Sequence, residues 1–274
     1  MSGAHVSFVE SIRPTARQDE VSTMTRIALL ADIHGNLEAL EAVACDIRLQ
    51  GADLVVCLGD IVGYGPEPGK CIDLVSQMCD HAVMGNHDEA VVEADVRTPM
   101  NPLAQAAVSF TRDRLDGRQL AYLQGLPETV RVCEELTVTH ACFGPERYAY
   151  LYDEARAAEA FGHLPTRIGA VGHTHLPTMF VHSLSVPATA ETVRHTALPG
   201  TARAALPREH RVLLNPGSVG QPRDRNPEAS WGMLDLRDRT FQVRRVWYDV
   251  DAVDFKIREH GLPDFHGARL RVGA

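Results

Sequence analysis

The order of elements along the chain predicts an α/β fold. Three observations carry that prediction. Apolar runs of strand length recur at residues 26–31 (unbroken from Ile27), 54–58 and 168–172, the pattern of strands buried on both faces. Segments with helical spacing separate the early runs, which implies parallel strands joined by right-handed crossovers. Beyond residue 175 the period changes to short strands.

The first strand, 26–31, ends in Asp32-Ile33-His34-Gly35-Asn36. Leu37, Leu40, Ala44 and Ile47 then mark a helix, with Asn36 as its N-cap. The second strand stops at Gly59-Asp60. The loop Gly63-Tyr64-Gly65-Pro66-Glu67-Pro68 leads from it to a helix through Ile72, Val75 and Met78. A short third strand, 82–84, precedes Gly85-Asn86-His87-Asp88. Residues 99–124 are helical in pattern. Strands near 129–133 and 136–139 follow, the second ending in His140. A helix is expected near 153–161, then the apolar strand that ends in Gly172-His173-Thr174-His175. Short strands are expected at 178–182, 211–214, 230–236 and 240–248. Residues 183–209, rich in Ala, Thr, Pro and Arg, read as an insertion or loop. Residues 1–23 lack the apolar stretch of a secretory signal, and Met24 directly precedes the first strand. The expected organisation is therefore a flexible extension over 1–23 and one domain over 24–274.

Composition narrows the function. A formal net charge of -9 disfavours stable nucleic-acid or anionic-membrane binding. An anionic substrate then needs local positive charge, which a metal ion supplies compactly. No apolar run approaches the ~20 residues of a membrane span. The six cysteines form no Cys-x-x-Cys pair and read as free thiols in a reducing, cytoplasmic setting.

Each polar cluster has an ordinary reading on its own. Asp32-x-His34 suits a helix cap, Gly59-Asp60 a turn, Gly85-Asn86-His87-Asp88 an Asx cap, and His140 a hydrogen-bonded core histidine. Gly172-His173-Thr174-His175 is stronger, because alternate residues of extended chain reach one centre. All five share one context, the end of an apolar strand, where open α/β sheets place their ligands. Aspartates, an amide and histidines without thiolate suit Mn, Fe, Ni or Zn rather than a soft cysteine site.

These five clusters, in this order, resemble the motif series of the calcineurin-like metallophosphoesterases. Asn215-Pro216-Gly217-Ser218 followed by Pro222-Arg223-Asp224 resembles its small bacterial phosphodiesterase-type branch. The resemblance spans about residues 24–249. It implies two mixed β-sheets packed face to face and flanked by helices. It implies two divalent ions, manganese first and iron, nickel or zinc as alternatives. Asp32, His34, Asp60 and His175 would hold one ion; Asp60, Asn86, His140 and His173 would hold the other. His87 would face the phosphate, with Asp88 orienting it, and a hydroxide bridging the metals would attack phosphorus. The implied substrate is a phosphodiester or phosphoanhydride of a small, nucleotide-type molecule.

Two departures lower a protein-phosphatase reading: no arginine follows Gly59-Asp60, and Asp88 stands where those phosphatases carry Glu. A non-catalytic scaffold of the same fold usually loses ligands, and none is missing here. Tyr64, Arg147, Tyr148 and Arg223 are the expected substrate-facing residues, Tyr64 by stacking on a base and Arg223 by meeting a phosphate. Tyr150 could line the same mouth. Arg223 could instead pair with Asp224.

Overall fold

A computed structural model describes residues 25–93 and 100–274. The expectation for residues 1–23 lies outside them. Two six-stranded mixed sheets pack face to face. The first has the order β3 (His81–Ala82), β2 (Leu54–Cys57), β1 (Arg26–Leu30), β11 (Ala229–Asp235), β12 (Thr240–Val246), β9 (Arg203–Ala205). The second runs β4 (Thr129–Arg131), β5 (Leu136–Thr139), β6 (Ile168–Ala170), β10 (His210–Asn215), β7 (Thr178–Ser183), β8 (Val193–Ala197). Strands β1, β2 and β3 are mutually parallel, as are β5, β6 and β10. The late strands join them antiparallel, β11 against β1 and β7 against β10.

The period-two geometry of a strand divides β1 between two cores. Ile27 and Leu29 face the second sheet and pack with Val138, Ile168, Val212 and Leu214. Ala28 and Leu30 face outward, under helices α1 (Leu37–Gln50) and α2 (Pro68–Met78). A third cluster, around Phe161, Phe180 and Leu213, seats α6 (Glu154–His163) on the far face of the second sheet. The result is helix, sheet, sheet, helix, with strands buried on both faces as the unbroken apolar runs require. Asn36 caps α1 as expected, its side chain accepting from the Ala39 amide at 3.1 Å. Trp231, fully buried on β11, donates to Asp46 of α1 at 3.0 Å. Arg244 of β12 clamps the same carboxylate at 2.7 and 3.0 Å, tying helix to sheet.

Three expectations change. The 183–209 segment is not a plain loop, because it carries β8 and β9, which border the two sheets beside β7 and β12. Only Val193 of β8 is buried, so an edge strand leaves no apolar alternation to read. The helical pattern of 99–124, whose first residue is outside the described part, is two helices, α4 (Pro102–Arg112) and α5 (Gly117–Gln124). Asp116 caps the second with Gln119 returning the bond, a box that starts a new helix. Asn86, His87 and Asp88 open a short helix, α3 (Asn86–Val92), rather than a bare turn. Two further helices, α7 (Val250–Glu259) and α8 (Asp264–Leu270), close the chain without having been expected. Among the described residues no helix is long and apolar enough to cross a membrane.

Candidate metal centre

The parallel strands deliver their polar ends to one rim. Asp32 and His34 follow β1, Asp60 follows β2, and Asn86 opens α3. His140 follows β5, and His173 and His175 follow β6. All seven side chains are buried. Five of these residues hold left-handed backbone: Asp32 (φ 55), His34 (50), Asp60 (53), His173 (65) and His175 (61). Each such non-glycine residue costs on the order of 1–3 kcal/mol, and such strain gathers where function needs it. Neighbouring strand ends hold it in place. The Asp32 amide donates to Gly59 O at 3.1 Å and the His34 amide to Asp60 O at 2.9 Å. Ser218 donates its hydroxyl to Asp32 O at 2.7 Å.

Three imidazoles have one nitrogen already committed. His34 Nδ1 meets Val62 O at 3.0 Å, His140 Nδ1 meets Leu58 O at 2.8 Å, and His175 Nδ1 meets Gln221 O at 2.6 Å. A carbonyl accepts only, so each Nδ1 carries a proton; the neutral rings of His34 and His175 present an Nε2 lone pair, and His140, kept protonated by Asp60, presents one once its second proton leaves. Those lone pairs converge. His34 Nε2 lies 3.2 Å from His175 Nε2 and 3.6 Å from Asp60 Oδ2. His175 Nε2 lies 3.5 Å from Asp32 Oδ1. His140 Nε2 lies 3.4 Å from Asp60 Oδ2, 3.2 Å from Asn86 Oδ1 and 3.2 Å from His173 Nδ1. Two groups of acceptors result, Asp32–His34–His175 and Asp60–His140–His173. Asp60 also groups with His34 and His87, so its carboxylate stands between them. Buried acceptors aimed at one another fit a cation and little else.

The electrostatics agree. Burial holds the imidazoles of His34 and His175 well below the usual range, His173 down to about 3 and His87 down to about 4. Burial also raises Asp32, with Asp60 adding to it. Asp60 is the exception among the carboxyls: burial opposes its charge, but His140 and His87 outweigh it and keep it ionised. His140 is the exception among the rings. Burial disfavours its imidazolium, yet Asp60 beside it holds the proton up to about 9.

Glycine is required where backbones touch here. A Cβ on Gly85 would lie 2.1 Å from Asp60 Oδ1. One on Gly63 (φ 90) would lie 2.5 Å from His87 Nδ1. His87 also donates its amide to Asp60 Oδ1 at 2.9 Å, and its ring sits 4.9 Å from His34.

Asp88 differs from expectation. It does not orient the His87 ring, because its oxygens accept backbone amides of Ile61 (2.9 Å), Val62 (3.1 Å) and Gly85 (3.0 Å). Asp88 thus fixes the loop that presents Asp60. Arg147 is engaged as well, its Nη1 pairing with Glu89 at 2.9 Å and Glu128 at 2.7 Å. Tyr148 stands 6.2 Å from His140 and 6.4 Å from His173. Tyr64 packs 4.7 Å from His34 and 4.5 Å from His87. Arg223 does not pair with Asp224, which binds Arg245; it donates to Gln221 Oε1 at 3.1 Å. Sequence reasoning missed Gln221, whose carbonyl sets the His175 tautomer, and His266 of α8, which packs 5.1 Å from Tyr64. It also missed a ring stack: Tyr150 lies 4.1 Å from His173, and Tyr152 lies parallel to Tyr150 at 5.2 Å.

A two-sheet α/β sandwich with buried Asp, Asn and His acceptors at one rim is the framework of a metal-dependent hydrolase. The sequence pattern of the Calcineurin-like phosphoesterase superfamily domain matches residues 25–239, and the chain belongs to that family. It is a phosphoric ester hydrolase. An uncharacterized protein of Methanocaldococcus jannaschii, MJ0912, is 34% identical over 254 residues, spanning 90% of this chain and 98% of its own. Phosphodiesterase YfcE of Escherichia coli is 27% identical over 224 residues, spanning 77% of this chain and 88% of its own. A metallophosphoesterase from Sphaerobacter thermophilus has a solved structure that superposes with a TM-score of 0.80 at 33% identity, covering 92% of this chain and all of that one.

Proposed function

We propose that this chain is a dinuclear-metal phosphoesterase acting on a small, nucleotide-type phosphodiester or phosphoanhydride. Asp32, His34, Asp60 and His175 would hold one divalent ion, and Asp60, Asn86, His140 and His173 the other, with manganese the first candidate. The observation that carries this reading is Asp60 Oδ2, which sits 3.6 Å from His34 Nε2 and 3.4 Å from His140 Nε2, within reach of one ring from each acceptor group. When bound, two such ions lower the pKa of water and offset phosphoryl charge for in-line displacement.

The chain's own residues supply the remainder. Backbone carbonyls lock three histidines with Nε2 inward, so the rings are aimed before binding and His140 has only its second proton to give up. The His87 amide fixes one Asp60 oxygen and leaves the other for the ions. The His87 ring, packed between His34 and Tyr64, would touch a phosphoryl oxygen. The half-exposed rings of Tyr150 and Tyr152, stacked outward from His173, offer a flat apolar surface that suits a nucleobase. Asp88 positions Asp60 and Arg147 holds the 146–149 loop, so neither needs to touch substrate.

The test is hydrolysis of bis-p-nitrophenyl phosphate by purified protein with manganese. Turnover in the wild type, and its loss in Asp60→Asn together with bound metal and without loss of fold, is the expected result. An inactive wild type carrying no metal sinks the reading.

A further inference from the structure

His34, His140 and His175 each have a ring nitrogen fixed by a backbone carbonyl. His87 does not. Its Nδ1 is buried with no hydrogen-bond partner among the described residues. Packing must then orient this ring, and one loop supplies it. Gly63 backs onto the ring with no room for a Cβ, and Tyr64 packs 4.5 Å from it.

Tyr64 itself needs holding. Its backbone is left-handed (φ 58), a conformation that persists in a non-glycine residue only where the surroundings enforce it. Two amides pin the loop to the turn after β1: Gly65 donates to His34 O at 2.8 Å and Glu67 to Gly35 O at 3.0 Å. The remaining support comes from the chain's end. Helices α7 and α8 lie beyond residue 239, where the matched family pattern stops, yet they reach this loop twice. Lys256 of α7 pairs with Glu67 at the end of the loop and with Glu38 of α1. His266 of α8, only 2% exposed, sets its ring 5.1 Å from Tyr64. The two helices are themselves firmly seated, because Val253, Ile257 and Leu270 share a core with Leu37 and Leu40 of α1. The cavity bordered by His34, Tyr64, Gln221 and His266 is about 10 Å³. That is room for about one water, too little for a substrate group, so these side chains meet by packing and not around a ligand.

Building on the phosphoesterase reading, we infer that His266 is a positioning residue: through Tyr64 it holds the His87 ring where a phosphoryl oxygen would meet it. The α7–α8 hairpin is then a clamp on the Tyr64 loop, gripping it by the Lys256–Glu67 pair at one end and by the His266 ring at the other. It gives His87 the fixed aim that carbonyls give the other three rings. Aim matters here because a displacement near 1 Å lowers activity on the order of a hundredfold, and a partial release of the ring lowers it less.

Two measurements test the clamp: steady-state kinetics on bis-p-nitrophenyl phosphate with manganese, and carbon–proton spectra of the His87 ring in metal-free protein. His266→Ala should lower kcat about tenfold and leave KM within about threefold. His266→Phe keeps a ring against Tyr64 and should recover most of that kcat. Lys256→Met releases the other grip and should lower kcat in the same way, and it takes over should His266→Ala not fold. Phe255→Ser, an exposed change on α7, should alter nothing. In a His87→Ala background, His266→Ala should cost no further activity, because its effect runs through the missing ring. A second tenfold loss there overturns the proposal, and so does a wild-type kcat in His266→Ala. In metal-free protein the His87 ring signals should move in His266→Ala and stay in place in Phe255→Ser; signals unmoved in His266→Ala overturn it too. The spectra do not depend on turnover. An inactive wild type with moved signals therefore sinks the phosphoesterase reading, whereas an active one with unmoved signals sinks only the clamp.

Discussion

His34 and His175 face each other nitrogen to nitrogen at 3.2 Å, and each has already given its other ring nitrogen to a backbone carbonyl. Two lone pairs at that distance repel unless a cation lies between or beside them. Chelation should therefore cost stability. With metal a thousandfold above its Kd, the loss is about 4 kcal/mol. For a chain of this size that lowers the melting point by roughly 10 °C. Differential scanning calorimetry with and without chelator checks it, and an unchanged Tm counts against resident metal.

His173 sits at φ 65, where a side chain is strained and glycine is not. Elsewhere Gly is the poorer replacement. Here His173→Gly should be at least as stable as His173→Ala, with about 1 kcal/mol of relieved strain in its favour. Urea denaturation of the two variants decides it, and the strain is absent if Ala comes out clearly ahead. Both should lose activity, since either removes a ligand candidate.

Gly85 has an ordinary φ, so its need is purely spatial: a methyl would strike both Oδ1 and the amide nitrogen of Asp60, at 2.1 and 2.2 Å. Gly85→Ala must displace the Asp60 carboxylate, which lies between the His34 and His140 rings. Overpacking of this kind costs about 1–3 kcal/mol. A misplacement near 1 Å lowers activity on the order of a hundredfold. Steady-state kinetics alongside thermal melts would expose the error if kcat/KM stays within threefold of wild type.

Asp46 supplies a pH dependence away from the centre. Burial opposes its charge, but the bonds from Arg244 and Trp231 outweigh burial and hold the carboxyl below the usual range. A depressed carboxyl stabilises the fold above its unfolded pKa, near 3.9. That contribution fades as pH falls through and below that value. Asp46→Asn should cost about 1–3 kcal/mol at neutral pH. The gap to wild type should narrow below about pH 4 in acid-titrated melts; a constant gap across pH assigns the effect to packing instead.

What was legible in the sequence, and what was not, divides along physical lines. Buried strands announce themselves by unbroken apolar runs, and a polar residue at the end of one stands out, so Asp32, Asp60, His140, His173 and His175 could be named before any coordinates. The two-sheet arrangement rested on the family resemblance. β8 and β9 were missed because sheet borders are half in water and carry no alternation. The left-handed backbone of five site residues was missed because Asp and His give no warning of it, as a glycine would. Asp88 was misjudged because sequence adjacency to His87 suggested a side-chain partner, whereas the first turn of a helix turns it back onto the amides of Ile61, Val62 and Gly85. His266 lies in a helix beyond every motif, and only tertiary packing brings it to Tyr64.

The seven ligand candidates are drawn from both layers: Asp32, His34, Asp60 and Asn86 follow strands of the first sheet, and His140, His173 and His175 follow strands of the second. Neither layer alone holds the full set proposed for either ion. During synthesis the chain must reach at least β6 before any set is complete, and the β1–β11 pairing that finishes the first sheet comes later still. On the proposed dinuclear reading, tight metal uptake is a late event of maturation, and the ions would act as clasps fastening two halves that have already met.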